Sequence, residues 1–108
     1  MVTRVKVDAP ICDHQTEVIA YARSEGVEVE IITDCSSVQL YASRLKGLTM
    51  DDIMDLKGSK IIDMASDAGL TATCLIPTAV YNACWVELGL ISRRFALSRP
   101  NLCIQFLE

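Results

Sequence analysis

The 108-residue sequence has no apolar run approaching the ~20 residues that span a bilayer, and its opening stretch, Met1-Val2-Thr3-Arg4-Val5-Lys6, lacks the apolar core of a secretory signal. Both absences lead to the expectation of a cytoplasmic protein without membrane association. Basic residues are not in surplus either. Ten lysines and arginines stand against fourteen aspartates and glutamates, a net charge of −4, which disfavours neutralising the phosphates of a nucleic acid. The five glycines are scattered and form no phosphate-cradling loop, and there is one histidine and no Gly-x-Ser-x-Gly elbow. Nucleotide-loop and serine-hydrolase chemistry are thereby set aside. No repeat, low-complexity stretch or long linker divides the chain. The apolar fraction of 51% excludes intrinsic disorder, and a chain of this length buries roughly two-thirds of its extended surface, so residues 1–108 read as one domain.

Apolar and polar residues alternate over Thr3 to Val7, Thr16 to Ala22 and Val27 to Thr33, which predicts three strands. Ser24-Glu25-Gly26 joins the last two as a hairpin turn. Helical spacing follows. Val38, Tyr41, Ala42 and Leu45 fall on one face of a helix from Ser36, stopped at Lys46-Gly47. Thr49 and Asp52 have capping-box spacing for a short helix through Leu56. Ser59 to Ala68 is amphipathic, and a largely buried helix is predicted from Leu75 to Leu88, with Pro77 tolerated in its first turn. Ser92 to Asn101 reads as a basic, proline-containing loop with Arg93, Arg94 and Arg99 in solvent. Leu102 to Leu107 alternates again and reads as an edge strand. The sum is an α+β domain, a small antiparallel sheet of three to four strands with helices on one face. Met54 and Met64 read as core filler.

Cysteine is the one residue type in excess. Five are many for a small cytoplasmic domain, where thiols stay reduced. They form no Cys-x-x-Cys pair, but they sort by position. Cys12 falls between the first two strands, Cys35 between a strand and a helix, and Cys74 just before the last long helix. Cys84 and Cys103 fall inside regular elements and read as filler. A helix N-terminus favours a thiolate, so Cys35 and Cys74 are expected to have lowered pKa values. His14 and Asp13 follow Cys12 directly, and Asp34 precedes Cys35. Three thiolates with one nitrogen or oxygen suit zinc or an iron–sulfur cluster. The expected metal ligands are therefore Cys12, Cys35 and Cys74, with His14 or Asp13 as the fourth. A shared tetrahedral centre would place the sulfurs within about 4 Å of one another.

This order of strands, helices and junction cysteines resembles the U-type iron–sulfur cluster scaffolds, the IscU, SufU and NifU N-terminal group. Cys35-Ser36-Ser37 opens a helix ending Leu45-Lys46-Gly47, followed by Thr49-Met50-Asp51-Asp52. Cys74-Leu75-Ile76 with Ala79 and Ala83 is similar to the family's last-cysteine helix. The likeness covers about Ile11 to Leu90. The chain departs from the pattern at Asp13-His14, where the family usually has Gly-Asp, and at Thr73, where one branch has His. It also lacks the family's Pro-Pro-Val-Lys element and N-terminal helix. The sequence further resembles a little-described group of small proteins from anaerobic prokaryotes with a Cys-x-x-Pro near the end, here Cys74 to Pro77. The first resemblance implies an iron–sulfur cluster scaffold or carrier, with a sulfur donor or cluster acceptor protein as partner. Two further readings stand beside it. One is a thiol-based sulfur acceptor using Cys35 or Cys74, with His14 as base. The other is a non-catalytic interaction or regulatory domain, a homodimer assembled through the apolar last helix or the segment Leu102 to Leu107. None of the favoured readings requires an enzyme.

Overall fold

Alternation in the first third of the chain becomes a meander in the computed structural model, which describes residues 2–108. Strands β1 (Thr3–Ala9), β2 (His14–Arg23) and β3 (Gly26–Thr33) pair antiparallel in the order β1-β2-β3. The register sets Val5 against Val18 and Ala20 against Val29. Odd positions of β1 and β3 and even positions of β2 thus share one face, where Val7, Val18, Ala20, Val27 and Val29 are buried. Arg4, Lys6 and Glu30 stand exposed on the other.

Helices α1 (Ser36–Arg44), α2 (Met50–Met54), α3 (Lys60–Asp67), α4 (Ile76–Glu87) and α5 (Arg93–Ser98) follow. α4 lies on β1 and β2 and α1 lies on β3, giving the α+β architecture expected from the sequence. Tyr41, Leu45, Leu48, Ile53, Ile61, Val80 and Cys84 are wholly buried between the helices and the sheet. Each large aliphatic side chain removed from water there contributes about 1.5–3 kcal/mol. The buried Tyr41 hydroxyl donates to the Ile61 carbonyl at 2.7 Å, so the core carries a polar atom without leaving it unpaired.

The caps follow the local sequence. Thr49 and Asp52 form a reciprocal capping box on α2. The second Asp52 oxygen accepts from Lys60 N, while Ser59 Oγ donates to the Asp52 carbonyl and caps α3. Burial pushes the Asp52 carboxyl up, but the bonds from Thr49 and Lys60 outweigh it and hold the group below its ordinary value.

Three expectations give way. The stretch expected as a basic loop contains α5, capped by Ser92 Oγ accepting from Phe95 N. Within it, Arg93 is no solvated cation: it pairs with Glu87 at 3.0 Å. Leu102 to Leu107 is not a strand, because alternation supplies propensity but no neighbouring strand of the chain pairs with it, and residues 99–108 are all exposed. Met54 is 48% exposed rather than core, since α2 is too short to turn that face inward.

The far end of α4 is held by charge. Glu87 accepts from Thr3 Oγ1 at 2.8 Å, from Ala22 N at 3.0 Å and from Arg93 Nη2, while Arg93 Nη1 donates to the Val2 carbonyl. Its side chain is 4% exposed. Burial raises the Glu87 pKa, but the hydrogen bonds and the guanidinium more than offset this, so it lies below the usual carboxylate value. A depressed folded-state pKa contributes stability above the unfolded value that is lost as pH falls through the folded one. Glu87→Gln is therefore expected to cost about 2–3 kcal/mol at neutral pH. That loss should shrink on acidification below about pH 4, as read from urea midpoints across the pH range. At the β2–β3 turn Gly26 has φ of +148°, and a Cβ there would lie 1.9 Å from the Leu48 carbonyl oxygen. Gly26→Ala should lower stability by about 3 kcal/mol or more, measured by the same titration.

Candidate functional site: the cysteine end of the sheet

The antiparallel register places the β1–β2 turn and the β3 exit, which carry Cys12 and Cys35, at the same end of the sheet. Ala9 pairs with His14, and Thr16 pairs with Thr33, so the 10–13 turn and the Thr33-Asp34-Cys35 exit lie side by side. The turn is closed by Cys12 N and Asp13 N donating to the Ala9 carbonyl, both at 3.0 Å. Asp13 takes φ of +55°, a left-handed conformation that aspartate tolerates better than most residues. α4 supplies the third cysteine. Its last residue, Glu87, bonds Thr3 and Ala22 at the opposite end of the sheet. α4 packs along β1 and β2, so its first turn, preceded by Cys74, points back to the 10–13 turn.

Cys35 is the N-cap of α1, with extended backbone, and its N–H donates to Thr33 Oγ1 at 3.1 Å. Thr33 Oγ1 in turn meets Thr16 Oγ1 at 2.9 Å, and Gln39 Nε2 donates to the Thr33 carbonyl. The second cysteine is thus fixed to the end of the sheet through its own backbone. Cys74 is half-buried. Burial pushes its thiol pKa up, a hydrogen bond from Ile76 N–H acts in the opposite direction, and negative charge on Cys12 or Cys35 would push it higher. The lowered value expected from the helix terminus is overturned, because desolvation outweighs the amide bond.

Convergence stops short of a closed centre. Among the described residues no group of three or more His, Cys, Asp or Glu side chains is gathered closely enough to hold a metal ion. Cys12, Cys35 and Cys74 with His14 or Asp13 are thus not closed into a tetrahedral centre. Cys12 is exposed on its turn, whereas Cys35 and Cys74 are half-buried, and all five cysteines are free thiols. His14 is the first residue of β2 rather than a loop residue, and its Nδ1 lies 2.8 Å from Asp34 Oδ1. The carboxylate can only accept, so Nδ1 donates, and Asp34 leaves Nε2 unengaged. Asp8, Asp13, His14 and Asp34 line an open polar cavity of about 310 Å³, which none of the three sulfurs borders.

Cys84 and Cys103 stay outside the group. Cys84 is wholly buried in α4, and burial, with Glu87 nearby, pushes its thiol pKa to about 12. Cys103 is exposed in the segment after α5. A second open groove, of about 280 Å³, lies between Met54, Leu56, Tyr81 and Trp85. There the Tyr81 hydroxyl and the Trp85 indole donate to the carbonyls of Asp55 and Ile53, which ties the α2 exit to α4. Sequence reasoning missed the bracing of Cys35 by Thr33 and Thr16. Two threonines at strand ends gave no sign of it until the register set them opposite each other.

These features define a small α+β protein with three thiols at one end of a meander sheet. The chain belongs to DUF6951, a family of unknown function, whose model matches residues 3–98. No curated protein and no solved structure matches it. No helix among the described residues is long and apolar enough to cross a membrane.

Exposure and burial set an order of thiol reactivity. Alkylation of the folded, reduced protein should label Cys12 and Cys103 first and Cys35 and Cys74 more slowly, with Cys84 reacting only on unfolding. Peptide mass mapping over time reads this directly, and early labelling of Cys84 would contradict the burial.

Proposed function

We propose that this protein binds a thiophilic metal ion or an iron–sulfur cluster through Cys12, Cys35 and Cys74, as a scaffold or carrier rather than an enzyme. The observation that carries the reading is the convergence of three cysteines, from three separate segments, on one end of the sheet. The donor set fits such a cargo by its chemistry: soft sulfur ligands, with His14 or Asp13 available as a fourth. His14 has the arrangement typical of a ligating imidazole, one ring nitrogen held by a carboxylate and the other free. The chain departs from U-type scaffolds at Asp13, where they usually have glycine, but its backbone there takes a left-handed φ that glycine adopts freely. Those scaffolds would imply a sulfur donor or cluster acceptor protein as partner, and a reducing cytoplasm suits five free thiols.

The open spacing bears on the kind of binding. Cys12 sits on an exposed turn and Cys74 ahead of the first turn of α4, so binding would draw them toward Cys35, whose backbone is braced by Thr33. A site that closes on its cargo releases it more readily than a preformed one, as suits delivery rather than a permanent structural zinc. Metal capture also requires deprotonated thiols, so a Cys74 thiol raised by burial should move uptake to higher pH.

Purified anaerobically and reconstituted with iron and sulfide, or with zinc alone, the protein should retain metal in a fixed ratio per chain. Cys35→Ala should lose most of it without losing the fold. Absence of metal in both preparations would refute the proposal. The separated thiols and the exposed apolar segment after α5 favour one second reading, a non-catalytic interaction domain whose cysteines only pack. That reading expects no metal and no functional consequence of Cys35→Ala.

A further inference from the structure

The hydrogen-bond direction of every strand can be deduced from the β2–β3 hairpin. Its two-residue loop, Ser24-Glu25, closes on the pair Arg23 and Gly26, so odd positions of β2 exchange bonds with β3. Val27 then points its backbone away from β2, and it does: it exchanges both bonds with Leu48. Even positions of β2 face β1, consistent with Ala22 N, on the β1 side just beyond Thr3, donating to Glu87. Their partners Thr3, Val5, Val7 and Ala9 face β2 in return. The amides and carbonyls of Arg4, Lys6 and Asp8 therefore point outward, along an edge that no described strand covers. The Val2 carbonyl, next in that row, is taken by Arg93. β3 has its edge covered at Val27 by Leu48, whereas β1 is bare over its length.

The same chain carries an unpaired segment of matching kind. Leu102, Ile104 and Phe106 alternate with Cys103, Gln105 and Leu107, and the apolar members are 71–87% exposed. Six residues span about 20 Å when extended, against about 24 Å for the seven of β1. The segment lies outside residues 3–98, which the family model matches.

We infer that residues 102–107 add as a fourth strand to the β1 edge of a second copy of this chain, giving a reciprocally exchanged dimer. Charge favours this pairing over β1 against β1. Two β1 edges would bring the cations Arg4 and Lys6 of one copy near those of the other, a common device against edge pairing. The segment presents no cation, so it escapes that repulsion. With Leu102, Ile104 and Phe106 turned to the core side, they extend the apolar face past Val5, which is only half-buried at the edge. The partner is a second copy because of the exit from α5. Arg99 ends α5 with φ of −136° and ψ of 71°, Pro100 fixes its own φ, and from there residues 99–108 all stand exposed, clear of the β1 edge of their own chain. This inference is independent of the metal-binding proposal.

Sedimentation of the full chain, held reduced so that Cys103 cannot crosslink, should give twice the monomer mass. Deleting residues 102–108 should return it to the monomer. So should Phe106→Asp, an exposed position whose change cannot unfold the monomer, and so should Lys6→Pro, which removes an outward amide but no β1–β2 bond. Unchanged circular dichroism and thermal midpoint would verify the fold of each. Lys6→Pro keeps the segment and the deletion keeps the edge, so mixing those two should restore association. A monomeric full chain overturns the inference, as does a dimer that survives the deletion. Amide protection of 102–107 in a monomer would place the strand on its own chain and overturn it equally.

Discussion

The direction of α4 across the sheet decides where the chemistry of this protein lies, and one buried carboxylate holds that direction. Glu87 accepts from the Thr3 hydroxyl, the Ala22 amide and the Arg93 guanidinium, and so fixes the last turn of α4 to the start of β1 and the end of β2. A carboxylate buried to this degree is tolerated only because its oxygens are so fully engaged. With that end fixed and Val80, Ala83 and Cys84 packed inward, the first turn of α4 can only point toward the 10–13 turn. The three-cysteine end of the molecule is therefore a consequence of an interaction at its opposite end.

At the cysteine end the backbone is well determined and the side chains are left open. Cys35 is braced through its own amide by Thr33 and by the Thr16–Thr33 contact, and the Asp13 backbone turns through a left-handed φ that closes the loop on Ala9. The sulfurs themselves differ in surroundings: Cys12 in solvent, Cys35 and Cys74 partly covered. Under the proposed metal-binding role, rigid supports beneath open thiols would let a cargo come and go without refolding the sheet. His14 is oriented by Asp34 through its Nδ1.

The molecule protects one sheet edge and leaves the other bare. Leu48 bridges Val27 on β3, while β1 offers Arg4, Lys6 and Asp8 backbone groups with only Arg93 at the near end. Charged side chains along such an edge deter like edges while leaving a neutral strand free to pair. The bare edge and the cysteine end are separate features of the sheet, so the proposed pairing and the proposed metal binding would not compete.

Local signals in the sequence determined local structure. Strict alternation gave the three strands, Thr49 and Asp52 gave a capping box that forms as spaced, and Ser59 and the long apolar run gave α3 and α4 to within a residue or two. The three junction cysteines were legible for the same reason, since each is defined by the element it borders. Where neighbours in space mattered, local reading failed. α5 and the Arg93–Glu87 pair were taken for a solvated loop, because a cap of one serine is weak until the helix has something to pack on. Leu102 to Leu107 has the pattern of a strand and no strand beside it. The helix terminus alone argued for a lowered Cys74 pKa, but tertiary burial raised it. Residue type and spacing, acting over a few bonds, decided which elements form and where the thiols enter them. Only tertiary structure decided that these thiols meet at one end, how far apart they stand and which edge remains unpaired, because each depends on packing between segments many residues apart.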